Sequence, residues 1–416
     1  MRPHSLFPSD LLLNSFGYEL PDEKIARYPL PRRDQSKLLV YRGGNISESV
    51  YAALPGLLPQ PSLLVFNNSR VIEARILFRK QSGGQIEIFC LEPHPEYAPV
   101  TKGMTATGKV WWACLIGGAS KWKRGQVLEW KSGTLTLEAR FMEKRSTDFI
   151  IEFSWTPADM NFASVLHEVG QVPLPPYLNR EPENTDTERY QTVYAKESGS
   201  VAAPTAGLHF SDSLLEELRR QNTGLLYLTL HVSAGTFMPV KTEKIEEHRM
   251  HEEWVEAGAA EIAALIEKLD ATVIAVGTTS LRTMETLYWL GLQRMMKKQL
   301  GIAEDASGTA GLLLEQEFPY EVADCPPAKR VLQELLEWVS SLPEKKLITR
   351  TRLFIVPGYR FQVVRGLITN FHQPHSTLLM LVAALIGPGW KSVYGWALEH
   401  DYRFLSYGDG CLFLPG

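Results

Sequence analysis

"AAEIAALIEKLDATVIAVGTTSLRTMETLYWLG", residues 259–291, is the stretch whose reading decides the fold. The apolar residues of "AAEIAALIEKLDA" recur at helical spacing, "TVIAV" is an unbroken apolar strand, and "LRTMETLYWLG" returns to helical spacing. Between the strand and the second helix stands Gly277-Thr278-Thr279-Ser280, a turn. Helix, strand, turn and helix in this order are the repeat of an α/β protein.

The same alternation continues on both sides. "SDSLLEELRRQNTG" (211–224) predicts a helix with a Ser213/Glu216 capping box, an apolar face of Leu214, Leu215 and Leu218, and a stop at Gly224. "LLYLTLHV" follows as a strand. Near the carboxyl end "GLITNF" reads as a strand, "STLLMLVAALIG" as a helix capped by Ser376 or Thr377, and "YRFLSYG" as a last strand followed by Asp409. Residues 72–155 differ. Short β-branched and aromatic runs there are separated by Ser82-Gly83-Gly84, Gly117-Gly118 and Ser132-Gly133, the pattern of hairpins closing a small antiparallel β-barrel. The expected architecture is an α/β (or α+β) core with a mixed sheet, residues 1–71 plus 156–416, interrupted by an inserted β-barrel domain. Within the core, 291–350 reads as an added surface segment, with helical spacing in "KRVLQELLEWVSSL".

Composition narrows the class. A chain of 416 residues has ample length for a core, its 44% hydrophobic and 22% charged residues are ordinary for a globular protein, and no apolar run reaches the ~20 residues of a membrane span. The amino terminus lacks a signal-peptide pattern, so the expectation is a cytoplasmic protein without membrane attachment. Cys90, Cys114, Cys325 and Cys411 form no C-x-x-C pair, which argues against a zinc ribbon and a disulfide framework. A net charge of −4 does not advertise nucleic-acid binding, but three local clusters could meet phosphates. They are Arg27, Arg32, Arg33 and Lys37; Lys121, Lys123 and Arg124 beside Trp122; and Lys345, Lys346, Arg350 and Arg352. Each alone also reads as a solvated charged face.

Two loops are candidates for chemistry. Gly277 to Ser280 opens a helix, where free N–H groups and hydroxyls suit a carboxylate or phosphate, and Arg282 lies one turn in. "SVAAPTAGLHF" (200–210) lacks large side chains up to His209, so backbone could approach a flat ligand closely, with Gly207 supplying a positive φ. A simple cap and a packed histidine are the plainer alternatives. His231 and His372 also sit at strand ends, and proton transfer or a structural hydrogen bond are the two readings for them. His248 and His251, three apart, would share a helix face and with Glu252 offer a metal site, but they lack the H-E-x-x-H pattern and a cysteine partner, so no metal is expected. No G-x-G-x-x-G, P-loop or G-x-S-x-G fingerprint is present.

Longer motifs say more. "YELPDEKIARYPLPRRDQSKLLV", "LLVFNNSRVIEAR", "VPLPPYLNR", "RYQTVYAKESGSVAAPTAGLHFS", "TLHVSAGTF", "EEHRMH", "VIAVGTTSLRTMETL", "VPGYRFQVVRGLITNFHQPHSTLLMLV" and "YRFLSYGDG" resemble, in order, the S-adenosylmethionine:tRNA ribosyltransferase-isomerase family of queuosine synthesis. The resemblance spans nearly the whole chain except the interior of the β insertion and residues around 291–350. It implies an enzyme that moves and rearranges the ribosyl part of S-adenosylmethionine, a co-substrate, onto 7-aminomethyl-7-deazaguanine at the wobble position of a tRNA with a GUN anticodon. Epoxyqueuosine, adenine and methionine are the products, no metal is needed, and a monomer is expected.

The resemblance also distributes roles. His209, His231 and His372 are the candidate acid and base. Ala203, Pro204, Thr205, Ala206 and Gly207 would cradle the adenosine or sulfonium. Gly277, Thr278, Thr279, Ser280 and Arg282 would hold the methionine carboxylate, and Asn370, Tyr407 and Asp409 would touch sugar or base. Arg27, Arg32, Arg33 and Lys37 would meet tRNA, with the barrel as a second contact.

The chain departs from the family pattern at four places. Asn67-Asn68-Ser69-Arg70 replaces Asn-Asp-Thr-Arg, Gln373-Pro374-His375 replaces Leu-Pro-Lys, Ser233-Ala234-Gly235-Thr236-Phe237 replaces Gly-Leu-Gly-Thr-Phe, and Arg352 replaces an aspartate. These leave two other readings open: a diverged paralogue that binds S-adenosylmethionine or a nucleoside without this activity, and a non-catalytic RNA-binding module.

Overall fold

The computed structural model describes residues 8, 11–80, 83–123, 125–233, 235, 242–301 and 312–415. Ser82, Arg124, Ala234, Thr236 and Phe237, named above, lie outside the described residues. The fold is mixed α/β, with one large mixed sheet and one curled antiparallel sheet.

Four parallel strands form the middle of the large sheet, in the order Gly224–His231, Ser62–Asn67, Thr272–Val276 and Gly366–Asn370. Their apolar runs are continuous because both faces are covered. Leu63 and Val65 face one hydrophobic cluster while Leu64 and Phe66 face another, as the two-residue strand period requires. Beyond the fourth strand come Gly410–Leu414, Lys37–Arg42 and Asn45–Val50; beyond the first come Glu253–Gly258, Lys346–Thr351 and Leu313–Leu314.

On one face lies the long helix Thr278–Gln299 with Ala328–Ser341 and Thr377–Ile386, and on the other the helix Asp212–Arg220. The long helix does not stop at Gly291. Gly291 is instead where Ala328–Ser341 crosses, because a Cβ there would stand 2.7 Å from Val331 O. That second helix, within the segment expected as a surface addition, buries Val331, Leu332, Leu335 and Val339 completely.

Three local expectations are corrected. Ser211, not Ser213, caps the helix, its hydroxyl accepting from Leu214 N at 3.2 Å. "YRFLSYG" is a run of bends, and the last strand starts at Gly410, so Asp409 precedes it. His248 and His251 share no helical face, since the short 3-10 helix Ile245–Glu247 ends before them.

The second sheet runs Gly170–Gln171, Arg75–Arg79, Gln85–Pro93, Lys109–Gly117, Phe149–Thr156, Leu135–Lys144 and Val127–Ser132, all antiparallel. Arg75–Arg79 also approaches Val127–Ser132 from the far end, so the sheet curls into a half-barrel. Alternate residues such as Ile86, Ile88 and Cys90 point into its own core, which Phe162 of the helix Phe162–Val169 closes. No single helix among the described residues is long and apolar enough to cross a membrane.

The complete burial of the Ala328–Ser341 stripe has a measurable result. Leu335→Ala should destabilise the chain by about 2–5 kcal/mol in urea unfolding, whereas Gln333→Ala on the exposed face should change it by about 0.5 kcal/mol or less.

Candidate active site

A cavity of about 670 Å³ opens at the carboxyl ends of three of the four central parallel strands, Gly224–His231, Thr272–Val276 and Gly366–Asn370. This is where α/β sheets present loops to ligands, and the volume suits a small molecule. Val232, Gly277 to Thr279 and Asn370 to His372 all follow their strands directly into its wall. Ala202 to Ala206 cross between them, held by Val201 N to Val232 O at 2.9 Å.

One end of the cavity is built for an anion. Gly277 has φ +91°, a conformation closed to side chains, and it turns the chain so that the first N–H groups of the long helix meet the cavity. Arg282 lies one turn further and lines the same wall. Its Nε donates to Leu353 O at 3.0 Å and its Nη1 to the buried Glu253 carboxylate, while Nη2 has no partner among the described residues. Burial pulls the guanidinium down to about 10, so it stays charged at neutral pH. Glu253 neutralises it from behind, and His251 Nε2 stands 3.4 Å from the other carboxylate oxygen. Thr279 Oγ1, also on the wall, likewise has no hydrogen-bond partner among the described residues.

The three candidate histidines separate. His372 is on the cavity wall, its Nε2 2.9 Å from Thr369 Oγ1, and burial pushes its pKa down to about 3. His209 is not on that wall. Its Nδ1 lies 2.9 Å from Ser36 Oγ and its Nε2 2.9 Å from Asn370 Nδ2, and burial, with Arg403 and Arg33 nearby, lowers it to about 3. His231 is further away, between the two sheets, with Nε2 3.3 Å from Glu256 Oε1. Glu256 also takes Lys346 Nζ at 2.5 Å and Thr101 Oγ1 at 3.2 Å. Burial works to raise the Glu256 carboxyl, but His231 and Lys346 outweigh it and hold it at about 2.

Ala203, Pro204, Thr205, Ala206, Gly277, Thr278, Thr279, Arg282, Asn370 and His372 are thus gathered at one cavity. Gly207, Ser280, Tyr407 and Asp409 are not on its wall. Gly207 has no positive φ; it is small because a Cβ there would run into Tyr194 Oη. Ser280 donates to Val276 O at 2.8 Å, and Tyr407 donates to Asp186 at 2.9 Å. Asp409 accepts from Lys37 N and from Arg403 N and Nη2.

The basic residues fare unequally. Arg32 is exposed with Asp34 at 3.4 Å, and Arg27 is partly exposed and pairs with Asp22. Arg33 donates to Leu208 O and Glu188 O, and Lys37 to His400 O and Glu48. Lys346, Arg350 and Arg352 are taken up by Glu256, Glu252 and Glu315. Wall residues that sequence reasoning did not assign include Tyr177, Tyr190, Glu253, His375 and Ser406. Tyr177, Tyr190 and Ser406 lie in the quoted "VPLPPYLNR", "RYQTVYAKESGSVAAPTAGLHFS" and "YRFLSYGDG" and His375 at a noted departure, so a signal existed for those four; Glu253 gave none.

Comparison with known proteins places these segments in a wider set. A family model described as "Queuosine biosynthesis protein" matches residues 13–325 and 327–413. The chain is 38% identical over 411 residues to the S-adenosylmethionine:tRNA ribosyltransferase-isomerase of Halothermothrix orenii, covering 97% of this chain and 99% of the relative. It is 37% identical over 408 residues to the protein of that name from Trichlorobacter lovleyi, again covering 97% and 99%. A crystal structure of an S-adenosylmethionine tRNA ribosyltransferase from Thermotoga maritima is 26% identical, covers 95% of this chain and 99% of its own, and has a TM-score of 0.44.

The depressed histidines bear on acid stability. In the unfolded chain these rings protonate as pH falls through about 6.5, but in the fold they stay neutral to about 3, so the unfolded state takes up the protons. His209 and His372 should each remove about 2 kcal/mol of stability between pH 6.5 and 5, before carboxylates titrate. Urea unfolding across that window should show the loss, and His209→Gln should flatten its own share; a curve level from pH 7 to 5 would contradict the buried neutral rings.

Proposed function

The chain belongs to the queuosine biosynthesis protein family, and on that footing we propose that it acts as an S-adenosylmethionine:tRNA ribosyltransferase-isomerase. It transfers and isomerises the ribosyl part of S-adenosylmethionine onto tRNA. The observation that carries the assignment of this reaction to the cavity is convergence: Ala202 to Ala206, Gly277 to Thr279 with Arg282, and Thr369 to Thr377, distant in sequence, line one cavity.

In this reading the methionine carboxylate sits at the start of the long helix, against Thr278, Thr279 and Arg282 Nη2. The helix N–H groups and a charged guanidinium both favour an anion there, and Glu253 keeps Arg282 oriented. The small residues Ala203 to Ala206 admit the flat adenine and ribose. The acceptor base is 7-aminomethyl-7-deazaguanine at the wobble position of a tRNA with a GUN anticodon, and epoxyqueuosine, adenine and methionine are the products.

A hydrogen on the carbon beside the sulfonium must be removed, adenine must leave with a proton, and the aminomethyl nitrogen must attack the sugar. His372 is favoured as the proton acceptor because, of the three candidate histidines His209, His231 and His372, it is the one on the cavity wall. His231 is assigned to the hydrogen-bonded contact with Glu256. Tyr407 and Asp409 brace the loop behind the wall. Arg27 and Arg32 would meet tRNA phosphates, with Arg33 and Lys37 holding their segment in place and the half-barrel, read as an inserted barrel domain over 72–155, offering a second RNA contact. The protein is proposed to work as a cytoplasmic monomer without metal.

Incubation of precursor-bearing tRNA with the chain and S-adenosylmethionine, followed by mass spectrometry, tests the reading. Adenine and methionine release with an epoxyqueuosine peak is expected. Binding of tRNA without product would support an RNA-binding module, and ligand binding without tRNA dependence a diverged paralogue. Arg282→Lys keeps the charge beside Glu253 but loses the fork, and should raise KM for S-adenosylmethionine roughly ten- to hundredfold with KM for tRNA little changed.

A further inference from the structure

We infer that His209 is a positioning residue, fixing the Asn370 amide so that its carbonyl accepts an N–H from the edge of a flat heterocycle lying over Ala203 to Ala206. The identity of that heterocycle rests on the ribosyl-transfer reading; the positioning does not.

The argument begins at Asn370, which ends the strand Gly366–Asn370, is 2% exposed and stands on the cavity wall. Its Nδ2 is 3.1 Å from Leu405 O and 2.9 Å from His209 Nε2. Leu405 O only accepts, which sets the orientation of the amide, and the two hydrogens of Nδ2 are then both used. His209 Nε2 must therefore be the acceptor, so the ring proton is on Nδ1 and donates to Ser36 Oγ at 2.9 Å. The ring is also stacked on Tyr51, with centroids 4.4 Å apart and planes at 21°. Both nitrogens are spent inside the protein, leaving none to move a substrate proton.

What the chain Ser36, His209, Asn370 leaves over is one atom. Asn370 Oδ1 is buried and has no hydrogen-bond partner among the described residues. An unpaired buried acceptor on a cavity wall is a place for a ligand donor. The strand carrying Asn370 packs against the short helix Thr205–His209, so this acceptor stands beside the loop whose Ala203 and Ala206 leave room for a flat ring. Two heterocycles with edge N–H groups take part in the reaction: the adenine of S-adenosylmethionine and the deazaguanine of the tRNA.

Full-length His209→Gln, His209→Leu, Asn370→Leu and the double leucine variant separate the possibilities when kcat and both KM values are measured over pH. Glutamine can accept from Asn370 and donate to Ser36, so His209→Gln should stay within about threefold of the parent in every constant and keep its pH profile. His209→Leu and Asn370→Leu should each raise the KM of the same one substrate by about tenfold or more, and the double variant should be no worse than Asn370→Leu. A raised KM for S-adenosylmethionine identifies adenine; a raised KM for tRNA identifies the deazaguanine. A folded His209→Gln that loses kcat about a hundredfold with both KM values intact overturns the inference in favour of proton transfer, and so does additivity in the double variant. Should His209→Leu not fold, His209→Gln and Asn370→Leu carry the comparison. If the parent chain itself made no epoxyqueuosine, the reaction would be refuted, and calorimetric binding of S-adenosylmethionine and of tRNA to the same variants would still decide the positioning role.

Discussion

The small-residue loop at the cavity is delivered from a corner set by how the strand Ser62–Asn67 ends. That strand is buried along its whole length between two parallel neighbours, and a buried strand that stops leaves peptide groups to be paired. Asn67 answers with one side chain that behaves as an extra peptide unit. Its Oδ1 accepts from Leu230 N and Ser69 N, both at 3.1 Å, and its Nδ2 donates to Leu230 O at 2.9 Å. The chain then turns through Ser69–Val71 and leaves for the curled sheet at Arg75. When it returns, Glu197–Ser200 pairs in parallel with Ser69–Val71, and Ser200 Oγ reaches both Ser69 Oγ and Val232 N at 2.9 Å. That return strand delivers Ala202 to Ala206 to the cavity, so the excursion into the second sheet begins and ends at one hydrogen-bonded corner.

The α/β alternation was legible because a buried parallel strand is written as an unbroken apolar run, and "TVIAV" has no other comfortable place. The errors came where two residues offered the same local chemistry. Ser211 and Ser213 both could cap the helix, and only the backbone path selects the first. Gly291 carries the mark of a helix end, yet its missing Cβ serves a neighbouring helix that follows some forty residues later in the chain, ~40 being beyond any local pattern. "YRFLSYG" has strand composition, but its backbone is spent on bends that carry Phe404 N to Lys24 O and Asp409 N to Arg403 O.

At the site, the two small-residue loops were legible because close approach and a helix start are written in the residue types. The direction a histidine faces is not. His209, His231 and His372 all stand at or near element ends, and only the fold brings Asn370, Glu256 and Thr369 respectively against their rings. Glu253 was invisible for a related reason: in "HEEWVEAG" an acid beside another acid reads as solvated, and its partner Arg282 lies on a different element. Two of the four departures from the family pattern also resolve into local chemistry. Asn68 Oδ1 accepts from Thr229 Oγ1 at 2.7 Å, a task that a neutral amide performs, and Arg352 meets Glu252 at 2.5 Å and Glu315 at 3.0 Å.

The strand Lys346–Thr351 at the margin of the large sheet does more than widen it. It lies antiparallel to Glu253–Gly258, and from it and the next residue Lys346, Arg350 and Arg352 reach back to Glu256 and Glu252. Glu256 in turn holds Thr101 and His231, so the charge supplied at the margin is felt where the two sheets meet. Without this strand and the residue after it, Glu252 would lose both of its arginines and the fully buried Glu256 its lysine, and a buried carboxylate that loses its counter-ion is costly.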